Sequence, residues 1–171
     1  MSSIILVICT WLHLIATVVW IGHIVNSVIL FGPLSKKYIP ESVYGDFLAD
    51  YRRKDQPIAI SAIAVFFVTG LGLMLLNAQY QGFGNPFANS WSAVVFAKHI
   101  IVLVMVRLGV FMGTTIMPKL AESWSALAAA ASHSAAHSPI ARLERLRSLV
   151  TFSLLLLGLA VLLLTALGEN I

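Results

Sequence analysis

Apolar residues form four long stretches along the chain, separated by more polar connections. The stretches cover residues 4–31, 57–78, 92–117 and 149–167. Each is close to or above the about 20 helical residues that cross a hydrocarbon core of roughly 30 Å. The pattern predicts an all-α protein, a transmembrane four-helix bundle that forms a single domain over residues 1–171. The connections 32–56 and 118–148 are then its long loops.

The composition excludes an ordinary soluble domain. Apolar residues make up 59% of the chain and charged residues 11%, and the mean hydropathy is +0.92. The single cysteine, Cys9, excludes an internal disulfide framework. No internal repeat is evident in the sequence. We therefore expect the lipid bilayer to be the main environment of this chain.

Basic residues predict the orientation in the membrane. Nine of the eleven Lys and Arg residues lie in the connections 32–56 and 118–148. By the positive-inside rule these loops face the cytoplasm, so the bundle is up-down with both termini on the outer side of the cell inner (plasma) membrane. The net charge of +4 then reports topology, and we expect no nucleic-acid partner. The nine residues are Lys36, Lys37, Arg52, Arg53, Lys54, Lys119, Arg142, Arg145 and Arg147.

The two basic loops also carry helix signals. Pro40 is predicted to open a short helix in the membrane interface, with Tyr44 and Leu48 on its apolar side. An alanine-rich run at 126–136 is predicted to be helical and to end before Pro139. Within that loop His133 and His137 are four residues apart and share one helix face, which permits metal chelation or a solvated face.

Two histidines lie in the first and third spans at similar depth. His13 follows residue 4 by nine positions, and His99 follows residue 92 by seven. At a rise of about 1.5 Å per residue both lie roughly 10–14 Å below the outer surface. We expect the two imidazoles to ligate the iron of one haem b as a bis-histidine pair. The alternatives are a helix-to-helix hydrogen bond without a cofactor, and a copper or other metal site.

Glycines in the second and fourth spans fall near the same level. When residues are counted inward from the outer ends of these antiparallel spans, Gly70 and Gly158 lie at nearly the same depth as His13 and His99. Small residues in membrane helices let helices approach closely, and here they could also leave room for a flat macrocycle. We therefore include both glycines in the candidate cofactor site.

Further polar residues of the spans need partners. Arg107 lies eight residues beyond His99, and no Asp or Glu occurs within the four spans. Its guanidinium could pair with a haem propionate or snorkel toward the headgroups. Lys98 points about 100° away from His99 and is a second candidate for contact with an anionic ligand. His23 lies about 15 Å deeper than His13, and is either a second ligand site or an interfacial or hydrogen-bonded histidine.

Three stretches stand out as motifs: LHLIATVVWIGH at 12–23, Thr69–Gly70 in the second span, and WSAVVFAKH at 91–99. Together they resemble the CopD-like membrane family, which includes copper-resistance proteins, and they are similar to the HemJ-type protoporphyrinogen oxidases. The likeness covers about residues 10–120. It implies a helical bundle with a functional first-span histidine at His13 and a third-span basic residue at Lys98 or His99. The HemJ-type proteins usually have lysine there, and the alanine-rich loop departs from their pattern.

These observations favour a membrane cytochrome b-like protein. His13 and His99 would hold the haem, and electrons would pass between a quinol or a redox protein and an acceptor. The first alternative is a copper-transport or copper-resistance protein, although Met1, Met74, Met105, Met112 and Met117 form no close cluster. The second alternative, implied by the resemblance, is a haem-biosynthesis oxidase. A second copy of the chain is a further expected partner.

Overall fold

The structure is entirely helical in the residues that it describes. The computed structural model describes residues 2–80, 82, 85–129 and 137–168, and no strand occurs among them. This confirms the all-α prediction. The helices are α1 (Ser2–Asn26), α2 (Gly32–Tyr38), α3 (Glu41–Leu75), α4 (Ser90–Phe111), α5 (Met117–Ala129) and α6 (His137–Gly168).

Four helical segments are long and apolar enough to cross a membrane. They are Ile4–Tyr38, Glu41–Leu75, Ser90–Ala129 and Pro139–Gly168, and each contains an 18-residue window of mean hydropathy between 2.2 and 2.6. The four predicted spans lie at these segments, although the helices extend well beyond the apolar runs. Many large apolar side chains on them are exposed, as expected for helices whose outer faces contact lipid.

The predicted loops are mostly helical. Pro40 does precede a helix, but that helix is α3, which continues without a break into the second span and includes Pro57. A proline inside a membrane helix is tolerated because neighbouring groups satisfy the carbonyl that it leaves without a donor. Of the alanine-rich run, residues up to Ala129 belong to α5. His133 and the remainder of the run to residue 136 lie outside the described residues, so the proposed pairing with His137 stays a prediction.

The order of helices repeats along the chain, although the sequence does not. In each half, a spanning helix passes through a π-helical turn, Ser27–Phe31 or Met112–Ile116, into a shorter helix that begins near a proline. A long helix, α3 or α6, follows. Ser27 and Met112 are 85 residues apart, as are His13 and Lys98. His13 and Lys98 thus each lie the same number of residues before the π-helical turn of their half.

The residue contacts divide the chain into two compact units. The first unit comprises Met1–Gly22, Ala59–Val106 and Leu156–Ile171, and the second comprises His23–Ile58 and Arg107–Leu155. The first unit buries Ala16, Trp20, Ala62, Met74, Val102 and Met105. The second unit has a core of Tyr44, Leu48, Met117, Leu120, Ala121, Leu127 and Ile140. Tyr44 and Leu48, which we predicted on the apolar side of an interfacial helix, thus pack inside the protein.

Candidate functional site

His13 lies in the first unit with its ring against α3. Its Nδ1 is 2.9 Å from Thr69 Oγ1. The imidazole stacks on the Phe66 ring at 4.4 Å between centroids, with 27° between the planes. Phe66 and Thr69 are one turn apart on α3, so both contact the same imidazole. The ring is therefore held by a hydrogen bond on one edge and an aromatic contact on one face.

The hydrogen bonds of Thr69 decide which nitrogen of His13 carries a hydrogen. The Thr69 hydroxyl is 2.6 Å from the Val65 carbonyl oxygen, to which it donates its single hydrogen. The hydroxyl can then only accept from His13, so Nδ1 is the donor. In a neutral imidazole this leaves the lone pair on Nε2. A histidine that ligates a metal is commonly oriented in this way by a hydrogen bond at its other nitrogen.

Gly70 makes the approach of His13 to α3 possible. A Cβ at Gly70 would lie 3.1 Å from His13 Cε1, which is tighter than ordinary contact, and 3.5 Å from His13 Nδ1. At Gly158 a Cβ would lie 2.8 Å from Ile21 Cδ1 and 3.5 Å from Met105 Cε. The space beside both glycines is therefore filled by side chains. Both glycines thus allow close packing of the helices, and the macrocycle that we expected beside them stays a prediction.

On α4, Lys98 and His99 point in different directions. Lys98 is partly buried and lies within electrostatic range of the His13 ring. Its Nζ would be 3.9 Å from a Cβ placed at Gly168. His99 is exposed, and its Nδ1 is 2.7 Å from the Val95 carbonyl oxygen of its own helix. Successive residues of a helix are about 100° apart, so only one of the two can face α1. Lys98 is the one on the side of His13.

Cys9 lies one turn before His13 and also faces α3. Its Sγ is 3.7 Å from where a Cβ of Gly72 would be. The thiol and the imidazole are thus neighbours on one face of α1. Among the described residues there is no group of three or more His, Cys, Asp or Glu side chains that could hold a metal ion.

The remaining predicted residues lie in the second unit. Arg107 is exposed and takes part in no ion pair of the described residues. His23 pairs with Asp55, at 3.1 Å between Nδ1 and Oδ1. We missed this partner because Asp55 lies just before the apolar run of the second span, in a stretch that we assigned to a loop. In the structure this stretch is part of the continuous helix α3, which places Asp55 beside His23. The available signal was the position of Asp55 just before Pro57.

A buried carboxylate also lies in the second unit. Glu144 is 8% exposed, and its Oε2 is 2.9 Å from Lys36 Nζ and 3.0 Å from Arg147 Nη2. Its Oε1 is buried without a hydrogen-bond partner among the described residues. The Arg147 guanidinium also lies over the Phe31 ring, 5.9 Å from its centroid. Lys36 and Arg147, two of the nine basic residues from which we predicted the membrane orientation, therefore pair with the buried Glu144 carboxylate.

Comparison with protein-family models, curated proteins and solved structures finds no match to this chain. The resemblance to the CopD-like and HemJ-type proteins therefore stays a prediction. The functional argument that follows depends on the side chains themselves.

Proposed function

We propose that this chain is a multi-pass protein of the cell inner (plasma) membrane, arranged up-down with both termini on the outer side. The four apolar helices support a membrane protein. The concentration of nine of eleven basic residues in the two long connections supports the orientation.

We further propose that the protein binds haem b in the membrane and relays electrons between a quinol or a redox protein and an acceptor. The observation that carries this proposal is the hydrogen bond between His13 and Thr69. It favours the tautomer in which Nε2 has a lone pair, which His13 would need in order to hold haem iron. Haem, when bound, supplies one-electron redox chemistry.

The residues around His13 fit one half of such a site. Thr69 would orient the ligand, and Phe66 would cover one face of its ring. The second residue to hold the group would be Lys98 rather than His99, because Lys98 is partly buried on the side of His13 whereas His99 is exposed and its Nδ1 is 2.7 Å from the Val95 carbonyl oxygen. A lysine amine must be neutral to bind iron. A bis-histidine site within one chain would require α4 to turn by about 100°.

The test is purification from haem-replete cells in detergent, followed by an absorption spectrum. We expect a Soret band in the wild type that is lost in His13→Ala. Lys98→Met should shift or weaken the band, and His99→Ala should leave it unchanged. A colourless wild-type protein would refute haem binding, and a band that survives His13→Ala would refute the assignment of the ligand.

Copper handling is the second candidate, favoured by the neighbouring Cys9 and His13 on one face of α1. A thiolate and an imidazole together suit a soft copper ion. Metal analysis of the same purified sample separates the two functions. Copper that is present in the wild type and lost in Cys9→Ser would favour copper over haem.

A further inference from the structure

The second unit contains an imidazole that a carboxylate orients. His23 of α1 and Asp55 of α3 are 3.1 Å apart, and each side chain is 25% exposed. A carboxylate oxygen can only accept, so His23 Nδ1 carries the hydrogen. In the neutral ring, Nε2 is then a hydrogen-bond acceptor. Because the side chain is partly exposed, a ligand from outside the protein can reach this pair.

Tyr51 lies beside the carboxylate on the interior side. It lies one turn before Asp55 on α3, and its ring stacks on Phe31 at 3.9 Å between centroids. Its hydroxyl is buried and has no hydrogen-bond partner among the described residues, and Asp55 and Ser27 lie near it. Ser27 begins a π-helical turn, a feature that is frequent at functional sites. The Tyr51 hydroxyl is therefore a further polar group beside the His23–Asp55 pair.

The position of His23 limits the kind of ligand. His23 lies within the apolar run 4–31, whereas its partner Asp55 comes two residues before the apolar run 57–78, so the pair lies where the hydrocarbon meets the polar interface. A molecule with an apolar tail and a polar head group reaches this level from the lipid phase. A polar or ionisable residue at such a place commonly marks a functional site. The ligand must therefore be soluble in lipid and must present a hydrogen-bond donor to Nε2.

The geometry points to a binding site for the phenolic head group of a membrane quinol, with the quinol hydroxyl donating to His23 Nε2 and Asp55 orienting the ring. The choice of a quinol rests on the proposed electron relay, which needs a lipid-soluble redox partner. The donor requirement is specific, because a quinol has hydroxyl donors whereas the corresponding quinone has only carbonyl acceptors. The site should therefore bind the reduced form more tightly than the oxidised form.

Direct binding tests this inference whether or not the protein contains haem. The protein is placed in phosphatidylcholine nanodiscs, where the headgroups have no hydroxyl that could compete, and titrated with a short-chain ubiquinol and the matching ubiquinone. We expect the wild type to bind ubiquinol about tenfold more tightly, the ratio that corresponds to one net hydrogen bond of about 1.4 kcal/mol. His23→Phe should abolish the preference, and Asp55→Asn should reduce it.

Two further variants separate binding from folding. Asp50→Asn is the matched control, because Asp50 lies on the same helix, is 70% exposed and pairs only locally with Arg53. Tyr51→Phe removes only the hydroxyl and should weaken the preference while the unfolding temperature changes little. Equal binding of the two forms by the wild type, or an unchanged preference in His23→Phe, would refute the site. If His13→Ala loses the Soret band but still binds ubiquinol, then the quinol site at His23 does not depend on haem binding at His13.

Discussion

The His13 ring donates a hydrogen bond to the Thr69 hydroxyl, and this bond at 2.9 Å determines which imidazole nitrogen is left with a lone pair. Thr69 is 5% exposed, so water cannot replace it as acceptor. Its hydroxyl accepts from α1 while donating to the preceding turn of α3. A single oxygen thus connects two membrane helices and sets the chemistry of the ring.

Replacing Thr69 tests this connection. Thr69→Val keeps the shape but removes the hydroxyl that accepts from His13, and should lower the free energy of unfolding by about 1 kcal/mol. Thr69→Ser keeps the hydroxyl oxygen and should lower the free energy of unfolding by a smaller amount. Thermal unfolding in detergent measures both. If the valine and serine variants are equally stable, the hydroxyl has no part in holding His13.

The buried carboxylate in the second unit should be important for stability. Glu144→Gln keeps the size of the side chain but leaves Lys36 and Arg147 facing each other without an anion. Removing one partner of a buried ion pair is costly, and we expect a loss of about 2–4 kcal/mol. Asp50→Asn breaks the exposed pair with Arg53 and should change stability by less than about 0.5 kcal/mol. Similar effects in the two variants would contradict the structural role of Glu144.

Two helical glycines should respond in opposite ways to alanine. A Cβ at Gly45 would collide with Ser125 Oγ and lie 2.6 Å from the Ser125 amide nitrogen and 2.7 Å from the Ala121 carbonyl oxygen. Because backbone atoms cannot move aside easily, Gly45→Ala should destabilise by about 1–3 kcal/mol. Gly22 has no such neighbour within 4 Å, so Gly22→Ala should stabilise the helix by about 0.5–1 kcal/mol. Thermal unfolding of both variants checks the expected difference in sign.

Cysteine labelling can test the proposed orientation, because Cys9 is the only native cysteine. In a Cys9→Ser background, Phe87→Cys places a thiol at an exposed site of the middle connection, and Lys54→Cys places one in the first basic connection. A maleimide that cannot cross membranes should label the Phe87→Cys variant in intact spheroplasts. It should label the Lys54→Cys variant only after permeabilisation. The reverse pattern would mean that the termini face the cytoplasm.

The sequence by itself determined the helical class and the four spans, because helix length and hydropathy are local properties that must match the bilayer. It also selected His13 and His23 as costly residues in an apolar helix. The extents of the helices were underestimated, because charged residues before Pro57 and before residue 149 resembled loop residues although they continue the helices.

Only the tertiary structure decided the partners of these side chains. It placed Thr69 and Lys98 beside His13, turned His99 outward, joined His23 to Asp55 and buried Glu144 between two cations. Counting residues along a helix gives the depth of a side chain within about a turn. It does not give the rotation of one helix against another, which depends on how side chains and glycines of both helices pack.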